Sequence, residues 1–169
     1  MSESTPEIGV FAPCNGQQKV VGLFSKAKDM EIFQLKNDIR VFYITATSFP
    51  QGIMEAFEKL EKLLPTREGR TFFGLSQPGG KGTIIYKAAV EEKYNGESEQ
   101  YGCESITIQK GTYLTELITG WKKRIPAIGE TFQQLLTDPR LDLNSFCVEW
   151  YKNETDVLCM VKLDTTKEN

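Results

Sequence analysis

The sequence predicts an α+β protein made of two β-α-β-β units packed side by side. Strand-like and amphipathic stretches follow each other in the order β-α-β-β, and this order occurs twice. The segment "FPQGIMEAFEKLEKLL" of the first unit is echoed by "IPAIGETFQQLL" in the second. Units of about 55 residues are too small to build large separate cores, so we expect them to share one. A ferredoxin-like α+β sandwich with a single sheet is the alternative topology.

The predicted domain covers residues 36–165, with halves at 36–95 and 102–165, and residues 1–35 form a lead-in. Residues 1–18 are polar and rich in turn formers. The segments "KVVGLFS" (19–25) and "MEIFQLK" (30–36) then predict a short hairpin.

The first unit begins with a β-branched and aromatic strand, "IRVFYITAT" (39–47). A helix over 51–64 follows Pro50, because its apolar residues recur on one helical stripe: Ile53, Phe57, Leu60 and Leu64. Pro65 ends this helix. Two strands come next, "TFFGLSQ" and "GTIIYKAAVEE", and the turn "PGGK" joins them.

The second unit repeats this pattern. An extended segment, "ESITIQKGTYLTELIT" (104–119), bends at Gly111. Pro126 begins the second helix, and the strands "SFCVEWYK" and "DVLCMVKL" follow with "NET" between them.

Composition excludes several classes of function. The net charge is −3 and the basic residues are scattered, so we expect no direct binding of nucleic acid. Histidine is absent and no cysteine pair has CxxC spacing, so we expect no metal site, no cofactor and reduced thiols. No signal peptide and no apolar run of membrane-spanning length is present, which predicts a cytoplasmic protein without membrane contact.

Two charged or glycine-rich stretches have ordinary explanations. The loop "QPGGKGT" lacks the glycine spacing of a phosphate-binding loop and lies between two strands, so it is predicted to be a hairpin turn. The acidic stretches "EEKYNGESEQYGCE" and "EKLEK" are predicted to be solvated.

Glu149 is the candidate functional residue, because it interrupts the strand "SFCVEWYK", which otherwise reads as buried. Strand alternation places Phe146, Val148 and Trp150 on one face and Cys147, Glu149 and Tyr151 on the other. A buried carboxylate needs a partner. Either Lys87 or Lys162 supplies it, or Glu149 lies exposed at a sheet edge, or an aromatic-lined cleft leaves it for a cationic ligand. The candidate wall residues are Tyr43, Phe73, Tyr86, Tyr113, Trp121 and Tyr151.

The doubled unit, the segment "IQKGTYLTELITGW" and the late "EWY" strand resemble GyrI-like small-molecule-binding domains. These are the effector-binding modules of bacterial multidrug-responsive transcription activators, and they also occur as free-standing proteins. The resemblance covers residues 36–164. It implies a pseudo-two-fold arrangement of antiparallel sheets, with helices on one side and a ligand groove on the other.

The resemblance also implies roles for the candidate residues. Glu149 receives the cationic part of an amphipathic ligand, and Tyr113, Trp121, Phe73 and Tyr151 form aromatic walls. The first 35 residues show no helix-turn-helix, so we expect sensing or sequestration of a ligand without DNA binding, or contact with a partner protein. The alternative is a hydrolase of strained, cyclopropane-type natural products, with Glu149 as general base and Tyr113 or Tyr151 as the hydroxyl donor.

Overall fold

The computed structural model describes residues 29–167, and this part of the chain is an α+β domain, as predicted. Its eight strands are β1 (Glu31–Leu35), β2 (Ile39–Thr45), β3 (Phe72–Pro78), β4 (Ile84–Glu91), β5 (Glu104–Ile108), β6 (Gly111–Thr119), β7 (Cys147–Tyr151) and β8 (Asp156–Lys162). Its α-helices are α1 (Ile53–Leu63), α2 (Glu97–Gln100) and α3 (Pro126–Leu135). Short 3-10 turns occupy Gly80–Gly82 and Trp121–Lys123.

Both predicted β-α-β-β units are present, as β2-α1-β3-β4 and β6-α3-β7-β8. Helix α1 buries Ile53, Ala56 and Leu60, and its C-cap, Leu64, is extended because a residue before proline avoids the helical region. Helix α3 begins at Pro126, where a missing backbone N–H costs nothing. The two helices lie on the same face of the strands that surround them.

All eight strands form one antiparallel sheet in the order β1-β6-β8-β7-β3-β4-β2-β5. Reversing this order exchanges the two units, so the sheet has a pseudo-two-fold axis between β7 and β3. The units also exchange their leading strands. Strand β1 precedes the first unit but pairs with β6, and β5 precedes the second unit but pairs with β2.

The sheet is strongly curled. Strands β1 and β2 are six positions apart in the sheet, a distance of about 29 Å if the sheet were flat. The connection between Leu35 and Ile39 can span at most about 14 Å. The sheet therefore curls into a half-barrel that brings its two edges together.

The curl creates two buried faces. The inner face is buried by the sheet itself, and its core contains Leu35, Val41, Phe73, Leu75, Ala89, Ile108, Tyr113, Val148 and Met160. The helix face carries α1 over the first unit and α3 over the second. Because both faces of the sheet are buried, successive residues of a central strand pack alternately into the inner core and into the core under the helices.

Some predictions need additions or corrections. The predicted strand over 30–36 is present as β1 and joins the sheet ahead of the predicted domain start at residue 36, while the predicted strand over 19–25 lies outside the described residues. The prediction of a fully solvated acidic stretch at 91–104 is wrong for Glu97, which is completely buried because it pairs with Arg70 at 2.6 Å. Within residues 29–167, no helix is long and apolar enough to cross a membrane.

Candidate functional site

Glu149 lies at the middle of β7 on the helix face, close to the pseudo-two-fold axis. Strand β7 pairs with β8 on one side and with β3 on the other, and Glu149 is opposite Cys159 and Gly74. Only 4% of the residue is exposed. The predicted alternation along β7 is confirmed, since Val148 belongs to the inner core and Cys147 to the core under α3. Glu149 thus faces the helices, whereas the resemblance implies a ligand groove on the side of the sheet away from them.

Two tyrosine hydroxyls hold the Glu149 carboxylate. Tyr86 on β4 donates a hydrogen bond to Oε2 at 2.9 Å, and Tyr151 on β7 donates to the same oxygen at 2.5 Å. Gly74 makes room for the first of these bonds, because a Cβ at this position would lie 2.1 Å from the Tyr86 hydroxyl oxygen and 2.7 Å from Glu149 Oε2. Neither hydroxyl bonds to Oε1.

Aromatic rings surround the two tyrosines. Phe57 of α1 packs edge-on against both, with ring centroids 6.3 Å from Tyr86 and 5.9 Å from Tyr151. Trp121, in the turn before α3, lies 5.2 Å from Tyr151, and Phe49, in the loop before α1, lies 5.9 Å from Tyr86. We call Glu149 and these five rings the Glu149 cluster.

A surface cavity of about 600 Å³ adjoins the Glu149 cluster at Phe49. The loop before α1 and the hairpin between β3 and β4 form its walls, and its lining includes Thr45, Phe49, Pro50 and Ile85. Phe49 thus both lines the cavity and contacts Tyr86, which bonds to Glu149.

Burial dominates the electrostatics of the cluster. It raises the pKa of Glu149 above its ordinary value, although the hydrogen bonds from Tyr151 and Tyr86 act in the opposite direction. Burial and the nearby Glu149 charge raise the pKa of both Tyr86 and Tyr151 well above the usual range, so both hydroxyls stay protonated and act as donors. In the described part of the chain, no group of three or more histidine, cysteine or acidic side chains could hold a metal ion.

The structure brings together four of the seven predicted site residues: Tyr86, Trp121, Glu149 and Tyr151. It does not bring the other three to the Glu149 cluster. Phe73 and Tyr113 belong to the inner core, and the Tyr113 hydroxyl donates to the backbone oxygen of Gln109 at 2.6 Å. Tyr43 packs against the same inner core.

The predicted ion pair between Glu149 and a lysine does not form. Lys87 lies on the other face, with its ammonium 5.0 Å from the Tyr43 ring centroid. Lys162 donates to the Gln109 side chain at 2.8 Å. Exposure at a sheet edge is excluded as well, because β7 is a central strand and Glu149 is buried. The partners that the structure shows for this acid are the hydroxyls of Tyr86 and Tyr151.

Sequence reasoning missed several residues of this region. Phe57 appeared only as part of the apolar stripe of α1, and Phe49 and Gly74 carried no signal. A second buried acid, Glu116 on β6, also lies on the helix face, and both it and Glu149 pair with Cys159. The two acids are thus two strand spacings apart, about 10 Å. The interruption of an apolar strand that pointed to Glu149 occurs again in "TYLTELIT", and it could have indicated Glu116.

Comparison with solved structures identifies the fold. An integron cassette protein from the mobile metagenome of Vibrio cholerae gives a TM-score of 0.62 at 14% identity, over 79% of this chain and 95% of that chain. SAV2435, bound to tetraphenylphosphonium, gives 0.53 at 14% identity, over 79% and 94% of the two chains. The EcmrR C-terminal domain gives 0.50 at 11% identity, over 80% and 96%.

These matches confirm the predicted resemblance to GyrI-like domains at the level of the fold. No protein-family model matches the sequence, and the search of curated proteins gives no match. The function therefore has to be argued from the site itself.

Proposed function

We propose that this protein binds small amphipathic cations without catalysis, with Glu149 as the counter-charge. The observation that carries the proposal is a nearly fully buried carboxylate whose only hydrogen-bond partners among the described residues are two neutral hydroxyls. A buried acid of this kind gains a favourable partner when a cation arrives. Phosphonium and quaternary ammonium groups need no hydrogen-bond acceptor, and they suit such a site.

The aromatic rings supply the rest of the recognition. A cation over the face of a tryptophan, tyrosine or phenylalanine gains about 0.5–2 kcal/mol per ring. Trp121 and Phe57 each contact the ring of Tyr151, whose hydroxyl donates to the carboxylate. Their apolar surfaces accept the apolar part of the ligand, which predicts a preference for amphipathic cations over small inorganic ones.

The cavity beside Phe49 gives the ligand a route to the acid. Its volume of about 600 Å³ falls within the range of small-molecule pockets. A ligand that reaches Glu149 from this side displaces Phe49 from Tyr86. SAV2435, which has the same fold, was solved with tetraphenylphosphonium bound, and this lipophilic cation is therefore a suitable first probe.

The test compares a cation with a neutral molecule of similar shape. Isothermal titration of tetraphenylphosphonium and of neutral triphenylphosphine oxide is performed on the natural protein and on Glu149→Gln. The substitution keeps the shape of the side chain and removes its charge, so cation binding should weaken by about 2–5 kcal/mol while binding of the neutral molecule changes little.

Glu130→Gln is the matched control, because it removes the same charge from the exposed side of α3. It should leave both affinities unchanged. Equal losses for the cation and the neutral molecule in Glu149→Gln would refute the counter-charge role.

The predicted hydrolase alternative has weaker geometric support. Tyr113, one of its two hydroxyl donors, lies on the inner face, and the other, Tyr151, donates directly to Glu149. The candidate base, Glu149, and the candidate donor, Tyr151, bond to each other. The Tyr151 hydroxyl can therefore donate to a substrate only after this bond breaks. Hydrolysis stays a prediction, and incubation with cyclopropane-type electrophiles followed by mass spectrometry tests it.

A further inference from the structure

A second cavity, of about 240 Å³, lies away from the Glu149 cluster, where β3 begins and β4 ends. Its lining is strongly charged and consists of Gly69, Arg70, Thr71, Glu91, Glu92 and Lys93. The short helix α2, which follows β4, supplies the partner of Arg70 in this region.

Arg70 is the unusual residue of this cavity. Its side chain is only 5% exposed, and one guanidinium nitrogen, NH2, donates to Glu97 Oε1 at 2.6 Å. The other two nitrogens, Nε and NH1, are buried and have no hydrogen-bond partner among the described residues. Buried donors without acceptors cost free energy, and natural structures rarely leave them unpaired.

The acids nearby already use their oxygens. Glu97 accepts from Arg70 through Oε1 and from the backbone N–H of Lys93 through Oε2, at 2.7 Å. Glu92 accepts from the backbone N–H of Ser98 at 3.0 Å and from Arg40 Nε at 2.8 Å. Each of the four carboxylate oxygens thus already accepts a bond, and none of them accepts from Arg70 Nε or its third nitrogen.

Lys93 adds another donor to this side of the cavity. Its ammonium approaches Gly69 so closely that a Cβ on this glycine would lie 3.7 Å from Nζ. Gly69 has a φ of +67°, a backbone conformation that also favours glycine. The lining thus contains two donor side chains, Arg70 and Lys93, and two of the Arg70 nitrogens still lack an acceptor.

We propose that this cavity binds a small oxyanion, held by Arg70 and Lys93. Carboxylate and phosphate oxygens match this set of charged donors. The charged side chains around the cavity balance, with Arg40, Arg70 and Lys93 against Glu91, Glu92 and Glu97. Hydrogen bonding, more than net charge, therefore selects the ligand, and a singly charged oxyanion fits better than a highly charged one.

The test follows the Arg70 side chain directly by NMR. Inorganic phosphate and acetate are titrated separately into the ¹⁵N-labelled full chain, with sodium chloride keeping the ionic strength constant. The chemical shift of the Arg70 Nε–H cross-peak should change and reach a plateau as at least one of the two anions is added. The anion with the higher affinity shows whether the site prefers a phosphate or a carboxylate.

Two variants make the result specific. Arg70→Lys keeps the charge that pairs with Glu97 but removes the two unpaired nitrogens, so its spectrum identifies the Arg70 cross-peak by its absence. Lys93→Met alters an exposed side chain, leaves the backbone N–H bond to Glu97 in place, and should weaken anion binding about tenfold. The proposal would be overturned if neither anion changed the Arg70 Nε–H chemical shift of the natural protein, or if the change did not reach a plateau. It would also be overturned if Lys93→Met bound the anion as tightly as the natural protein does.

Discussion

At the scale of single residues, the site depends on a position that has no side chain. Gly74 lies opposite Glu149 across the β3–β7 pair, and its missing Cβ leaves the space in which the Tyr86 hydroxyl reaches the carboxylate. The glycine therefore acts through its neighbours, Tyr86 and Glu149.

Gly74→Ala should destabilise the protein by about 1–3 kcal/mol, because the new methyl group would overlap the Tyr86 hydroxyl and force a shift in a packed core. Urea unfolding measures this change. Gly80→Ala is the control, since nothing lies within 4 Å of its Cβ position. Similar stability losses in the two variants would show that Gly74 has no special role in holding Tyr86.

The titration of Glu149 makes a second prediction at this scale. Because burial raises its pKa in the folded state, the folded protein favours the protonated acid. The free energy of unfolding, relative to Glu149→Gln, should therefore be highest at low pH. It should fall as the pH rises from the ordinary value of about 4.5 through the raised pKa, and then stay constant.

Urea unfolding of both proteins across this pH range measures the difference. The affinity for tetraphenylphosphonium should change in the opposite sense, because the cation binds the ionised acid and lowers its pKa. A difference in stability that does not vary with pH would mean that Glu149 titrates as an exposed carboxylate.

At the scale of elements, the sequence predicted local structure well and pairing poorly. Alternation along β7 placed Glu149 and Tyr151 on one face correctly, since a strand has a fixed period of two. Phe73 was expected beside them, yet β3 presents Gly74 to Glu149 and turns Phe73 to the inner face. The register between two strands distant in the chain leaves no local signal, and a shift of one residue exchanges the faces.

Burial of Glu97, within the acidic stretch at 91–104, was missed for a related reason. Glu97 resembles a surface residue in sequence, because its partner Arg70 is 27 positions away. The Arg70–Glu97 ion pair forms only when folding brings these two distant residues together. Tyr113, predicted as a wall of the ligand groove, lies on the inner face, away from the helices and from Glu149.

At the scale of the whole molecule, the exchange of leading strands makes the two units interdependent. Each unit receives an edge strand from the other, and β3 and β7 join them at the centre of the sheet. The Glu149 cluster spans this junction, with Tyr86 and Phe57 from the first unit and Tyr151 and Trp121 from the second. We therefore expect the halves to unfold as one cooperative unit, so that ligand binding at the junction stabilises both.

The positions of the tryptophans allow this expectation to be tested in the full chain. Both of them, Trp121 and Trp150, lie in the second unit, and Trp150 also packs against Phe73 of β3, so their fluorescence reports the second unit and its junction with the first. Far-UV circular dichroism reports both units. Leu60→Ala removes a fully buried side chain of α1 in the first unit and should cost about 2–5 kcal/mol. In a cooperative molecule it lowers the urea midpoint of both signals equally, because the second unit cannot remain folded alone. A variant whose dichroism midpoint falls while its fluorescence midpoint stays in place would show that the units unfold separately, despite the strands that they exchange.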